Sequence, residues 1–206
     1  MTTQTANKHK TTYESTNLAK HTSPNPLQRL LIDRFHQKAA KLFNRTQAQS
    51  VLDAGCGEGF GMQHVMQRGN AHIVGLDSSV GALHLAQHTH PNKHFASGSL
   101  PTLPFPNARF DLVVCMEVLE HLDDPTQGLA ELCRVSRQWL LLSVPNEPFF
   151  RGANFLRGKN VAALGNDPGH VNHWSSRGFA RFVSKQLHIV ERQQSFPWTL
   201  ILCQTM

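Results

Sequence analysis

The stretch that decides the fold is Asp53-Ala54-Gly55-Cys56-Gly57-Glu58-Gly59, which reads D-x-G-x-G-x-G. It follows a short apolar run and precedes a helical pattern, so its glycines turn the chain sharply from a strand into a helix. A dinucleotide-binding loop would instead read G-x-G-x-x-G and would hold a pyrophosphate at the helix N-terminus. The carboxylate of Asp53 would repel pyrophosphate and suits an ammonium group. The loop therefore predicts a ligand that approaches the backbone closely and carries positive charge.

Strand and helix patterns alternate on both sides of this loop. Apolar residues recur at three- and four-residue steps from Pro26 until shortly before Ser50, which predicts an amphipathic N-terminal helix. Short apolar runs predict seven strands, at 51–54, 73–76, 95–96, 110–114, 139–144, 188–192 and 198–203. The alternation predicts an α/β fold, a mostly parallel seven-stranded sheet with helices on both faces. The last two strands predict a reversed pair at one edge.

Helix-end signals give approximate boundaries between these strands. We expect the helix after the glycine loop to run to about Arg68, and Ser78 to cap the following helix. A further helix is expected from Asp124-Pro125 through Arg137, where proline suits the first helical turn. Ser175 is expected to begin the last helix.

The chain is expected to form one domain with two attachments. Residues 1–23 carry almost no large apolar side chains and predict a flexible N-terminal arm, which leaves residues 24–206 as the folded domain. Glycine and proline recur between Pro145 and Trp174, in a segment longer than ordinary connections. We expect this insertion, at about 146–173, to face the substrate, because ligands of such sheets bind beyond the carboxyl ends of the strands.

The charge of +6 is distributed unevenly along the 206 residues. Residues 1–48 hold eight basic and two acidic residues, and residues 134–206 hold nine basic and three acidic ones. These segments can steer an anionic substrate, contact a membrane surface, or remain solvated. No run approaches the roughly 18 apolar residues of a transmembrane helix. Because the first twenty residues also lack the apolar stretch of a signal peptide, we expect a cytoplasmic protein.

A second carboxylate, Asp77, follows the predicted second strand and can accept both hydroxyls of a ribose. A ligand with an amino-acid end and a ribose but no phosphate is S-adenosylmethionine. Three segments in order, VLDAGCGEG (51–59), VGLDSS (74–79) and FDLVVCMEVLEHLDDP (110–125), resemble the class I S-adenosylmethionine-dependent methyltransferases. The resemblance implies a Rossmann-like fold and this cofactor, with S-adenosylhomocysteine as its product.

The resemblance also implies a set of cofactor-binding residues from these motifs and from the segment between them. They are Asp53, Gly55, Cys56, Gly57, Gly59, Asp77, Ser78, Gly98, Ser99, Leu100, Cys115, Met116 and Glu117. By resemblance, Asp53 lies under the methionine end of the cofactor and Asp77 binds its ribose. Gly98-Ser99-Leu100 matches the segment that flanks adenine, where Ser99 replaces the usual aspartate.

Within this superfamily, three groups share parts of the sequence. Asn25-Pro26-Leu27 and CMEVLEH resemble quinone-biosynthesis O-methyltransferases. Glu117, Glu120 and His121, with a later histidine, resemble metal-dependent small-RNA 2′-O-methyltransferases. Many uncharacterised small-molecule methyltransferases share EVLEH, and we expect the chain to belong with them. We therefore expect methyl transfer to a small-molecule acceptor, at oxygen in the first place, with nitrogen and carbon left open. We expect no nucleic-acid partner, and a homodimer is left open. The alternative from another class is a non-catalytic binding subunit with this fold.

His121 and His173 are the candidate catalytic residues. Methyl transfer is an in-line displacement, so the enzyme mainly positions the nucleophile, and an oxygen nucleophile benefits from a histidine base. A helix would also bring Glu117, Glu120 and His121 to one side, where His170 or His173 would complete a Mg²⁺ or Mn²⁺ site. Because Glu117 is expected to serve the cofactor and Glu120 the helix surface, we expect that no metal is required.

Overall fold

The structure is a computed structural model that describes residues 23–67, 70–158 and 160–206. The expected N-terminal arm, residues 1–23, lies outside the described residues except for Ser23. The described residues form seven strands: β1 (Ser50–Ala54), β2 (His72–Asp77), β3 (His94–Ser97), β4 (Phe110–Met116), β5 (Ser136–Pro145), β6 (Leu187–Ser195) and β7 (Trp198–Thr205). They also form six α-helices: α1 (Pro26–Arg45), α2 (Phe60–His64), α3 (Val80–Thr89), α4 (Pro125–Val135), α5 (Phe149–Leu156) and α6 (Ser176–Val183).

The strands form one sheet in the order β3-β2-β1-β4-β5-β7-β6. Strands β1 to β5 pair in parallel, whereas β7 is antiparallel to both β5 and β6. The predicted α/β, Rossmann-like fold with a reversed edge pair is confirmed. The strand order changes direction between β1 and β4, and the crevice at such a switch point is where open α/β sheets bind ligands.

Helices cover both faces of the sheet, and this is why its central strands are almost continuously apolar. Side chains alternate along β4, so that Leu112 and Val114 join one apolar layer while Val113 and Cys115 join the other. The first layer includes residues of α1, α2 and α3, and the second includes residues of α4 and α6. Both layers hold the carboxyl ends of the strands in fixed relative positions.

Three predicted helix boundaries are wrong by a few residues. α2 ends at His64 and not near Arg68, because the N–H groups of Val65 and Met66 both turn back to the carbonyl of Gly61. Ser79, and not Ser78, caps α3 by accepting a hydrogen bond from the N–H of Ala82. α4 ends at Val135, two residues before the predicted end, because β5 begins at Ser136.

The insertion packs against the end of the β6–β7 hairpin. It contains α5 and a 3-10 turn at Val161–Ala163. The ring of Phe150 contacts Trp198 at a centroid distance of 6.4 Å, and Trp198 also contacts Phe35 of α1 at 5.2 Å. Trp198 therefore joins the N-terminal helix to the insertion. No helix in the described part of the chain is both long enough and apolar enough to cross a membrane.

Candidate active site

A cavity of about 340 Å³ opens at the carboxyl ends of β1, β2, β3 and β4. This volume lies at the lower end of the range for small-molecule sites, roughly 300–1,000 Å³. Eight residues of the predicted cofactor set line it: Gly55, Gly57, Asp77, Ser78, Gly98, Ser99, Leu100 and Glu117. His121 also lines the cavity. No residue of α1 is among the described residues that line the cavity.

The glycine loop has a shape that only small residues tolerate. Gly55 has a φ of +81°, and its N–H donates to the carbonyl of Leu76 at 2.7 Å. A Cβ atom at Gly55 would lie 2.3 Å from the nearest side-chain carbon of Val118. Gly55 therefore lets the chain pass between β2 and the segment after β4, and this close approach forms one wall of the cavity.

Asp77 ties the end of β2 to the glycine loop. One carboxylate oxygen accepts a hydrogen bond from the N–H of Gly57 at 2.8 Å, and the other accepts one from Ser79 at 2.8 Å. An ionised carboxylate has about four acceptor positions, so Asp77 retains capacity to accept from a ligand in the cavity. This geometry is compatible with the ribose-binding role implied by the sequence.

Asp53 lies buried beneath the loop and does not line the cavity. Among the described residues, its Oδ2 atom has no hydrogen-bond partner. Burial and, secondarily, the nearby charge of Asp77 raise the pKa of Asp53 from 3.8 to about 7. The carboxyl group is thus poised to ionise near neutral pH when a positive charge approaches.

Four other residues of the predicted cofactor set also lie outside the lining: Cys56, Gly59, Cys115 and Met116. Gly59 begins α2 with a φ of +85°, and the methyl group of Met116 packs under Gly61. Cys115 points into the core because side chains alternate along β4. Burial raises the pKa of both thiols, Cys56 and Cys115, so neither is a nucleophile.

Glu117 is separated from the other candidate metal ligands. Its φ of +61° stops a helix from forming, and only a 3-10 turn, Leu119–His121, follows. The Glu117 carboxylate accepts hydrogen bonds from the indole N–H of Trp198 at 2.6 Å and from the hydroxyl of Ser143 at 3.2 Å. The expected helix that brings Glu117 to the same side as Glu120 and His121 is therefore wrong.

Glu120, His121 and His170 form a cluster beside the cavity. One potential ligand atom from each residue lies within 4.8 Å of the others. Glu120 is buried, so its expected place on a helix surface is wrong. Its backbone carbonyl accepts hydrogen bonds from Val171 and Asn172 at 2.9 and 3.0 Å, which ties the 3-10 turn to the insertion.

The second candidate catalytic histidine, His173, does not accompany His121. Its Nδ1 atom lies 3.9 Å from a carboxylate oxygen of Glu147, and it is absent from the cavity lining. His170 lies beside His121 instead, and the centroids of the two rings are 5.0 Å apart. Residues 170–173 have an irregular backbone, and His170 and His173 face different surroundings.

Sequence reasoning missed four lining residues, Glu58, Ala82, Val118 and Leu122. Glu58 and Val118 are immediate neighbours of predicted residues. Both lie within the quoted motifs, so the motifs could have indicated them. Ala82 belongs to the first turn of α3, and its small side chain gives no signal of its own.

Comparison with known proteins identifies the domain. The sequence model of a family described as a methyltransferase domain matches residues 52–139, which include the glycine loop, Asp77 and Glu117. Residues 52–139 therefore resemble a methyltransferase domain, and the relatives below include S-adenosylmethionine-dependent methyltransferases. This confirms the recognition made from the three motifs. The match begins one residue before Asp53 and ends in β5, so it covers the strands that surround the cavity.

Curated relatives align over about half of the chain. A probable S-adenosylmethionine-dependent methyltransferase of Mycolicibacterium smegmatis is 35% identical over 53% of the chain and 43% of its own length. A malonyl-[acyl-carrier protein] O-methyltransferase of Erwinia billingiae is 38% identical over 48% of the chain and 39% of its own length. A ubiquinone biosynthesis O-methyltransferase of Hahella chejuensis is 33% identical over 55% of the chain and 46% of its own length. The chain thus matches less than half the length of these relatives.

Solved structures share the fold over most of the chain. A Pyrococcus horikoshii protein has a TM-score of 0.69 at 16% identity, covering 91% of this chain and 95% of its own. The magnesium protoporphyrin IX methyltransferase of Synechocystis, solved with bound S-adenosylhomocysteine, has a TM-score of 0.67 at 17% identity, covering 88% of both chains. At these identities, the likeness shows the fold.

Replacing Asp53 by asparagine is expected to stabilise the ligand-free protein above neutral pH. The folded-state pKa of about 7 exceeds the ordinary aspartate pKa of 3.8, so the carboxyl group's contribution to stability is complete below about pH 4. That contribution is lost as the pH rises towards 7, because the buried group must ionise. Thermal unfolding measured at pH 5 and at pH 8 should show that Asp53→Asn loses less stability between these two pH values than the wild type does.

The matched control is Asp123→Asn, which changes an exposed carboxylate after the 3-10 turn. It should lose as much stability between pH 5 and pH 8 as the wild type. An Asp53→Asn protein that follows the wild-type pH dependence would show that Asp53 ionises without penalty in the folded chain.

Proposed function

We propose that this chain transfers a methyl group from S-adenosylmethionine to an oxygen atom of a small-molecule acceptor. The observation that carries the proposal is the charge of the cavity. Glu58, Asp77 and Glu117 line it, and no lysine or arginine is among its described lining residues. Such a cavity repels phosphate and attracts a cation. S-adenosylmethionine fits because it combines an ammonium group and a sulfonium centre with a ribose and no phosphate.

The residues around the cavity suggest a place for each part of this ligand. We assign the ammonium group to the side of the glycine loop, over buried Asp53, where its charge would favour the ionised carboxylate. The ribose hydroxyls are assigned to Asp77, and the adenine to Gly98-Ser99-Leu100. When bound, the ligand supplies a methyl group on a positively charged sulfur. The chain's part is to orient that group and exclude water.

His121 is the proposed base for the acceptor hydroxyl. Its Nδ1 atom lies 2.7 Å from the carbonyl oxygen of Gly169, and because that oxygen only accepts, Nδ1 carries the proton. The Nε2 atom is then left with the lone pair. An acceptor entering between the 3-10 turn and the insertion would place its hydroxyl proton within reach of Nε2. Two of the relatives described above are named O-methyltransferases, which supports oxygen as the methylated atom.

Asp77→Ala is expected to weaken binding of S-adenosylhomocysteine by about 2–3 kcal/mol, because two charge-assisted hydrogen bonds to ribose are lost. Calorimetry measures this directly. The 2′,3′-dideoxy analogue separates the ribose role from the hydrogen bond to Gly57, because it should bind the wild type and the variant with similar affinity. Wild-type affinity for S-adenosylhomocysteine in the variant would remove the ribose assignment.

The methylated atom is identified by supplying S-adenosylmethionine with a ¹³C-labelled methyl group and recording the carbon spectrum of the product. We expect a methoxy carbon when phenolic or carboxylic acceptors are offered. A labelled N-methyl or C-methyl product would contradict methylation at oxygen but would still agree with a methyltransferase activity. Tight cofactor binding with no turnover on any acceptor class would instead favour the non-catalytic binding subunit.

A second candidate, metal-assisted O-methylation, is favoured by the cluster of Glu120, His121 and His170. One carboxylate and two imidazoles suit Mn²⁺, Fe²⁺ or Zn²⁺ better than Mg²⁺. The contact between Nδ1 of His121 and the Gly169 carbonyl is the outer-shell contact that orients metal-binding histidines through the other nitrogen. A bound ion would supply a Lewis acid for an acceptor with two adjacent oxygens, as in a quinol or an RNA 2′-hydroxyl.

On this second candidate, EDTA abolishes methyl transfer and Mn²⁺ restores it. His170→Ala should then lose both the activity and the binding of Mn²⁺ measured by calorimetry, because one of three ligands is removed. His173→Ala is the control, since His173 lies outside the cluster. Full turnover in EDTA would contradict the metal and would agree with the expectation from the sequence that none is required.

A further inference from the structure

The insertion exposes large apolar side chains on its outer side. Leu156 is 87% exposed, Leu164 67% and Phe149 55%, although α5 also buries Phe150 and Asn154 on its inner side. A helix of this size normally buries its apolar residues against the core. The outer side of α5 therefore has an apolar surface that the fold does not use.

This surface is continuous with two neighbouring elements. The ring of Phe149 contacts Phe196 in the β6–β7 turn at a centroid distance of 6.1 Å. Arg157, directly after α5, donates to the side chain of Gln28 in the first turn of α1 at 3.3 Å, next to exposed Leu27. The side chain of Asn154 holds the carbonyl of Gly165 at 3.1 Å, which brings exposed Leu164 back to α5. We call Leu27, Phe149, Phe155, Leu156, Leu164 and Phe196 the apolar face.

Basic residues are frequent in the segments that carry the apolar face. The described residues between 149 and 166 include Arg151 and Arg157 and no acidic residue. α1 contains five basic residues and a single carboxylate, Asp33. Among the described residues, Arg29, Arg34 and Arg151 form no ion pair. An apolar patch on segments that also carry unpaired cations matches surfaces that lie in the interface of an anionic membrane.

We propose that the apolar face docks on the surface of a bilayer that contains anionic lipids. Leucine and phenylalanine side chains that project this far reach the boundary between headgroups and acyl chains, while the arginines pair with lipid phosphates. A second copy of the chain fits the face less well, because a two-fold interface would bring like charges together. An acidic protein would complement the charges but would need pockets for each projecting side chain.

Docking through this face would place the candidate active site at the membrane surface. Phe150, on the inner side of α5, contacts the ring of His170 at a centroid distance of 5.2 Å. The same helix thus carries the apolar face outside and forms part of the wall beside the Glu120, His121 and His170 cluster. An acceptor dissolved in the bilayer would reach the cavity without crossing water.

The test is flotation of the full chain with vesicles of phosphatidylcholine, alone and mixed with phosphatidylglycerol. We expect binding to the mixed vesicles only, and release at high salt because lipid attraction is screened. Leu156→Glu should lower the partition coefficient about tenfold or more, since one buried leucine is removed from the acyl boundary. Leu85→Glu, at an exposed leucine of α3, is the matched control and should partition like the wild type.

Thermal unfolding and S-adenosylhomocysteine affinity must be the same in both variants, so that any loss of vesicle binding is local. Mixed vesicles that do not bind the wild type, or that bind Leu156→Glu equally well, would overturn the proposal. So would a wild-type dimer that Leu156→Glu dissociates, which would assign the face to a second copy. Binding of an acidic carrier protein, lost in Leu156→Glu while vesicles stay unbound, would assign it to a protein partner.

Discussion

The site depends on the pair of hydrogen bonds that Asp77 accepts from Gly57 and Ser79. These bonds hold the glycine loop after β1 against the end of β2, and the position of the loop sets the floor of the cavity. The loop can lie there only because Gly55 adopts a positive φ and leaves room for Val118. One carboxylate thus fixes two strand ends, while its remaining acceptor positions stay available to a ligand.

The same arrangement concentrates negative charge around a cavity that contains no compensating cation among its described lining residues. Asp53 reflects this most clearly, because burial and then the neighbouring Asp77 raise the pKa of its carboxyl group. Such a site is electrostatically incomplete without a positively charged ligand. We expect such a site to select against nucleotides, through repulsion of phosphate as much as through attraction of a cation.

The sequence predicted those parts of the molecule that depend on local pattern. The strands, the glycine loop and Asp77 were readable because strand periodicity and glycine spacing are local signals. The helix expected to align Glu117 with His121 was wrong because Glu117 has a left-handed backbone, and its side chain is held by Ser143 and Trp198 from distant segments. The pairing of His121 with His170, and not with His173, depends on how the insertion folds back, and no spacing rule encodes that path. The exposure of Leu156 could not be predicted from the sequence either, since a leucine in a helical pattern normally predicts burial.

Trp198 connects three regions that have separate tasks. Its indole N–H holds Glu117 at the cavity, and its ring contacts Phe150 of the insertion and Phe35 of α1. The insertion is therefore not an independent module that evolution or a protein engineer can exchange alone. A new insertion has to supply an aromatic partner for this indole, or the rearranged tryptophan will also disturb Glu117. Diversification of the insertion is consequently restricted to its outer side, where no contact with Trp198 has to be kept.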